Sequence, residues 1–255
     1  MKLMTYNIYN GAPDTLDLIV SVVNEQNPDF LCLNEANGFD LDDNKKLRQF
    51  ARLTGFDHFQ LEKCGDGYDY HVAVLSKLPI KNIQAVHPVS RAVILTTVNT
   101  ELGEITICAT HLSPNSEQTR LEEVRLIIDA LQAKEKSVVM GDLNSLSESD
   151  NYADDFVKTF NAGQMRKFTD EHKILYEVIG TFEAAGYIDS GVKFNRQADY
   201  TAPTEVNTDA EHSDMRLDYI LASSSLATNL KDYYVVKNDT TNRASDHFPV
   251  VVELS

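Results

Sequence analysis

The chain has no tryptophan, only three cysteines, and 23 lysines and arginines against 39 aspartates and glutamates. The resulting formal charge of −16 gives an average surface that repels polyanions, so an extensive nucleic-acid surface resting on phosphate neutralisation is not expected. An anionic substrate stays open, because a cation held among carboxylates reverses the field locally. Cys32, Cys64 and Cys108 are odd in number and without paired spacing, so no disulfide framework follows; Cys32 and Cys108 lie in apolar runs and read as buried thiols. No stretch approaches the ~20 apolar residues of a membrane span, and Met1 to Ile8 lacks the apolar core and cleavage site of a signal peptide. No membrane anchor is expected. The chain reads as cytoplasmic, although a secreted protein whose leader had been removed would read the same. Its 11 glycines, 7 prolines, 42% hydrophobic and 24% charged residues describe an ordinary globular composition, neither disordered nor collagenous.

What is present is an alternation of short β-branched runs with amphipathic stretches. Residues 2–8, 30–34, 72–76, 92–98, 105–110, 138–142, 217–222 and 249–254 read as strands. Leu16, Ile19, Val20 and Val23 recur at helical spacing behind Asp14, the capping candidate, and Leu121, Val124, Ile127, Ile128 and Leu131 share a second helical face. Such alternation favours a layered α/β fold. The runs 92–98 and 105–110, joined across residues 101–104, read as an antiparallel hairpin, so the sheet is expected to be mixed or antiparallel rather than purely parallel. No repeat or low-complexity linker marks a domain boundary. Residues 146–174, rich in Ser, Asp, Asn and Lys, read first as a solvated surface helix and loop, and second as an inserted lid.

Residues able to bind a metal or move a proton gather at the ends of these strands. Asn7 ends the first, Glu35 follows the second, and His111 follows the hairpin. Asp142 and Asn144 lie in Gly-Asp-Leu-Asn-Ser at 141–145, Asp218 in Arg-Leu-Asp-Tyr-Ile-Leu at 216–221, and Asp246 and His247 in Ser-Asp-His-Phe-Pro at 245–249. Each has a plain structural reading: Asn7 a turn, Glu35 a lysine pair, Asp142 and Asn144 the caps of a helix beginning near Ser145. Asp218 resists one, since a carboxylate inside an apolar strand must be paired or bound. Together, oxygen donors without cysteine suit a hard cation such as Mg²⁺ or Mn²⁺, and two histidines suit proton transfer and phosphate contact.

The ordered set Thr-Tyr-Asn-Ile, Leu-Asn-Glu-Ala, Val-Ala-Val-Leu-Ser, Thr-His-Leu, Gly-Asp-Leu-Asn-Ser, Leu-Asp-Tyr-Ile-Leu and Ser-Asp-His-Phe-Pro-Val resembles the endonuclease/exonuclease/phosphatase superfamily, whose fold is that of DNase I. The resemblance runs from Asn7 to His247, and its most specific pieces are the Gly-Asp-x-Asn and the terminal Ser-Asp-His-x-Pro-Val. Tyr6 stands where many members have tryptophan and Asn34 where glutamine is usual. The implied fold is a four-layer α/β/β/α sandwich of two packed mixed sheets, which makes residues 1–255 one domain with an inserted surface segment at about 146–174.

The resemblance implies metal-assisted hydrolysis of a phosphate ester. Glu35 would anchor Mg²⁺ or Mn²⁺ with Asn7 and Asp246 beside it. His247, oriented by Asp218, would take the proton of the attacking water, with Asp142 as the rival base. Asn144 and His111 would donate to phosphoryl oxygens, and Arg91 would either bind substrate or make a surface ion pair. His71 reads as structural. Residues 40–51 open like a calcium loop but carry Lys45 and Ala51 where glycine and glutamate are needed, so that reading fails. The expected partner is a phosphate-ester substrate, with phosphodiester hydrolysis leading. A DNA nuclease, a phospholipid or sphingomyelin-type hydrolase, a small-molecule phosphoesterase and a noncatalytic binding module on the same fold are the alternatives.

Overall fold

Along the central strands successive residues are buried on opposite faces, and that pattern dictates the layers. In Phe30-Leu31-Cys32-Leu33, Phe30 and Cys32 belong to one apolar cluster and Leu31 and Leu33 to another. In Val138-Val139-Met140, the outer two join the first cluster and Val139 a third. The first cluster is shared by strands of two sheets, so it is the seam between them; the other two lie under helices.

The computed structural model describes residues 1–206 and 213–255. In chain order its elements begin with β1 (Lys2–Asn7), α1 (Leu16–Gln26), β2 (Phe30–Asn34), α2 (Leu41–Thr54), β3 (His58–Glu62), β4 (Val72–Ser76), β5 (Ile80–Ala85), β6 (Ala92–Thr100), β7 (Gly103–His111), α3 (Glu117–Leu131) and β8 (Ser137–Asp142). They continue with α4 (Ala162–Phe168), β9 (Thr169–Asp170), β10 (Lys173–Ile174), α5 (Glu177–Ala184), β11 (Tyr187–Asp189), α6 (Ser190–Lys193), β12 (Asp218–Ser223), β13 (Leu230–Val235), α7 (Thr241–Ala244) and β14 (Val250–Leu254). One six-stranded sheet has the order β13-β14-β1-β2-β4-β3, the other β11-β12-β8-β7-β6-β5, and β9 and β10 form a separate ribbon. Both sheets are mixed: β1 runs parallel to β2 across α1, and β7 parallel to β8 across α3, while the remaining pairs are antiparallel. This is the expected α/β/β/α sandwich, including the β6–β7 hairpin.

In the two large sheets the strands without a clear sequence signal are β3, β5, β11 and β13, and each is a sheet edge; the two-residue strands β9 and β10 also lack one. Edge strands are covered on fewer sides, so they carry polar residues such as Lys81, Asn82 and Gln84, and their apolar runs are broken. The start of α1 also differs from expectation. Thr15, not Asp14, is the N-cap residue; its side chain makes no cap and donates instead to the Ala244 carbonyl at 2.6 Å, tying α1 to α7. Residues 146–174 are not a merely solvated surface. Leu146 and Phe168 are buried with Ala202, Met215 and Leu217 in a fourth small cluster, and Asp150 accepts from the buried Arg216 guanidinium, which also grips Asp189. Cys32, Cys64 and Cys108 are all buried and unpaired, and burial pushes the Cys32 thiol up to about 12. Among the described residues no helix is long and apolar enough to cross a membrane.

Gly141 shows why one motif residue has no side chain. Its φ is +146°, and a Cβ there would lie 1.8 Å from the Thr110 carbonyl oxygen on the adjacent β7. Gly141→Ala must move backbone within the central pair of the second sheet, at a cost of about 3 kcal/mol or more. Urea denaturation measures this; a loss below about 1 kcal/mol would show that the strands separate easily there.

Candidate active site

Strand direction and register, rather than sequence proximity, assemble the site. β1, β2, β7 and β8 end at one edge of the sandwich, and their last residues pair as Asn7 with Asn34 and His111 with Asp142. β12 runs the other way and begins at that edge, placing Asp218 opposite Asp142. The loop before antiparallel β14 carries Asp246 and His247 back to the same place. Asn34 ties the two sheets together just beneath: its Nδ2 donates to the Thr110 carbonyl at 2.7 Å, and its Oδ1 accepts from the Asp142 amide at 3.0 Å.

Asp142 is the centre. One carboxylate oxygen accepts from Asn7 Nδ2 at 3.1 Å and lies 3.4 Å from His111 Nε2; the other accepts from the Asn144 amide at 2.8 Å. That local turn, with Asn144 at a φ of +49°, replaces the helix cap that the sequence also allowed. Burial pushes the Asp142 pKa up, but His111, His247 and Lys167 outweigh it and hold the group well below the usual carboxylate range. Burial and the Arg91 charge lower the His111 pKa against the pull of Asp142.

Beside it, His247 Nδ1 is 2.7 Å from Asp218 Oδ2. Asp218 is fixed from behind by Thr201, whose hydroxyl accepts from the Leu217 and Asp218 amides at 2.9 and 3.2 Å. Burial works to strip the His247 proton, yet Asp218, Asp246 and Asp142 together raise its pKa to about 10. Burial raises Asp218 against the pull of His247. With three carboxylates facing one imidazole, the shared proton belongs on His247. Glu35, at a φ of +59°, accepts from the Asn10 amide at 2.9 Å and from Asn7 Nδ2 at 3.5 Å.

The nine site candidates named from the sequence converge here. Asn7, Glu35, Arg91, His111, Asp142, Asn144, Asp218, Asp246 and His247 are joined by these contacts or line one cavity of about 240 Å³. Arg91 is not a surface ion pair: it is buried, with Nη1 2.9 and 3.0 Å from the two His111 ring nitrogens, 3.7 Å from Glu35, and its guanidinium over the Tyr70 ring. His71 is structural, accepting from the Cys64 amide at 3.0 Å and lying 3.3 Å from Asp40. Tyr9, Asn10, Tyr70, Pro114 and Lys167 also line the cavity and had no motif to mark them.

The donor set fits a hard divalent cation. Burial and the carboxylates of Glu35, Asp142 and Asp218 push Asp246 up to about 6, and Asp218 Oδ1 is buried without a hydrogen-bond partner. Ligand-capable atoms of Asp142, Asp218 and His247 lie within 4.8 Å of one another. Such crowding of negative charge asks for a cation, and oxygen donors select a hard one. Glu35 and Asp246 line the same cavity and Asn7 donates to Glu35, so these three could also hold it.

Two packed mixed sheets with a buried carboxylate and histidine cluster at one edge define a DNase I-like hydrolase scaffold. The sequence profile of the Endonuclease/Exonuclease/phosphatase family matches residues 4–247, and the chain belongs to that family. By that membership it is a hydrolase of phosphoesters. An AP endonuclease from Archaeoglobus fulgidus is similar over 100% of this chain and 99% of its own, at 19% identity and a TM-score of 0.76. The Neisseria 3′ phosphatase NExo, solved with a product DNA hairpin, is similar over 100% and 99% at 21% identity and 0.72. An endonuclease/exonuclease/phosphatase from Beutenbergia cavernae is similar over 100% and 72%, at 21% identity and 0.69. No curated protein matches the chain.

A cation bound only by the folded state stabilises it by about 2.7 kcal/mol at roughly 100 times Kd, a rise of about 5–10 °C in Tm. Mn²⁺ is expected to produce such a rise in the wild type, and Glu35→Gln to lose most of it in a thermal melt. Equal shifts in both proteins would put the ion elsewhere.

Proposed function

We propose that the protein is a Mg²⁺- or Mn²⁺-dependent phosphoric ester hydrolase acting first on phosphodiesters. The observation that carries this reading is the His247–Asp218 pair at 2.7 Å, set beside the ionised Asp142 and the crowded carboxylates of Glu35 and Asp246. Glu35, Asn7 and Asp246 would hold the ion. When bound, it neutralises phosphoryl oxygens and offsets the carboxylates that keep His247 protonated.

His247 then takes the proton of the attacking water, with Asp218 positioning the ring through Nδ1. Asp142 is the poorer base, since its oxygens are committed to Asn7 and the Asn144 amide and its pKa is held down. Its part is to orient Asn7, Asn144 and His111. Asn144 spends part of its amide on the Leu112 carbonyl at 2.9 Å, which fixes that group for a phosphoryl oxygen. Arg91 adds a fixed positive charge beside His111.

The test is hydrolysis of bis(p-nitrophenyl) phosphate with Mg²⁺ or Mn²⁺, with EDTA, and with His247→Ala. Chelation should abolish turnover, and His247→Ala should cost about a hundredfold or more in kcat. Turnover that survives both would sink the mechanism. The relatives that act on DNA make abasic and 3′-phosphorylated DNA the natural next substrates; the charge of −16 counts against an extended DNA surface.

A further inference from the structure

Lys167 belongs to none of the motifs, yet it reaches the catalytic cavity from the inserted segment. It lies on α4, and the local sequence fixes that helix at both ends. Asn161 and Gln164 form a reciprocal cap: the Gln164 amide donates to Asn161 Oδ1 at 2.9 Å, and the Asn161 amide donates to Gln164 Oε1 at 2.7 Å. At the other end Phe168 is buried in the small apolar cluster. The Lys167 carbonyl accepts from Arg120 Nη2 at 2.6 Å, and Arg120, fully buried on α3, also donates to the Ser113 carbonyl at 3.1 Å and to Glu117 at 2.9 Å.

The side chain is directed as firmly as the backbone. Its ammonium donates to Asn144 Oδ1, sits 4.9 Å from the Phe168 ring centre, and lines the same cavity as Asp142 and His247. Its charge helps hold Asp142 ionised. A tether for a neutral amide does not require a cation, because a glutamine or a hydroxyl would serve. An ammonium half-buried beside the proposed phosphate position has a second use. Arg91, just before β6, and Lys167, on α4, bring two positive charges into the one cavity from separate segments.

Resting on the phosphoester reading above, the geometry points to Lys167 as a specificity-determining residue that reads substrate charge. Within a site whose leading substrate is a diester, it contributes more to a phosphate bearing two negative charges than to one bearing one. A charge-assisted contact to a phosphate oxygen strengthens with the charge on that oxygen, so its loss must fall harder on the dianion. A purely structural lysine would, when replaced, misplace Asn144 and slow every substrate alike.

The experiment compares p-nitrophenyl phosphate with bis(p-nitrophenyl) phosphate for wild type, Lys167→Met and Lys167→Arg, with calorimetric titration of inorganic phosphate as a readout independent of turnover. Lys167→Met should lose about tenfold or more in kcat/KM on the monoester, mainly through KM, and only a few-fold on the diester. Its affinity for phosphate should fall by about the same tenfold, and Lys167→Arg should recover most of both. Equal losses on the two substrates, no loss on either, or a wild type inert toward the monoester would overturn the assignment while leaving the diester chemistry intact. If the wild type turned over neither ester, the proposed function would fall, and the phosphate titration alone would decide for or against Lys167.

Discussion

The site depends on where Asp142 is held. Its backbone amide is tied to Asn34 across the seam between the sheets, and its carboxylate draws in Asn7 from one sheet and the Asn144 turn and His111 from the other. Neither sheet carries a complete site. The constraint is therefore sheet-on-sheet packing: the apolar seam fixes the separation, and Asn34 and Asp142 convert that separation into the spacing of polar groups. Gly141, pressed against Thr110, is the steric side of the same requirement.

Packing carboxylates this closely opposes folding. Burial pushes Asp246 up to about 6, and His247 keeps its proton only because acidic groups surround it. Such an arrangement is costly unless something positive completes it, and it resolves the apparent conflict in the composition. A chain with a charge of −16 can be a phosphoester hydrolase if part of that excess is a place for a cation, with Arg91 and Lys167 added at the cavity wall.

Much of this was legible in the sequence, for a physical reason. Strands buried on both faces are written as unbroken apolar runs, and polar residues interrupt them; Asn7, His111 and Asp142 therefore read as strand ends and Asp218 as a carboxylate inside a strand, while their meeting at one edge follows from strand direction and register. β3, β5 and β13 carry little of that apolar signal because their edges are partly exposed, and β11 because it is only 3 residues long. Thr15 does not announce itself as the start of α1 because its partner, Ala244, is 229 residues away. Arg91 is ambiguous in the sequence because its partners His111 and Glu35 lie far along the chain. Lys167 had no signal at all: in the sequence it is one lysine in a polar stretch, and only the anchoring of α4 by Arg120 turns it inward.

In the proposed function Glu35, Asn7 and Asp246 would complete the cluster around Asp142 by holding a divalent cation. Anomalous diffraction from crystals grown with Mn²⁺ tests it most directly. One strong peak is expected in contact with the Glu35 carboxylate and beside Asp246. A peak elsewhere, or none at a Mn²⁺ concentration that supports turnover, would contradict it.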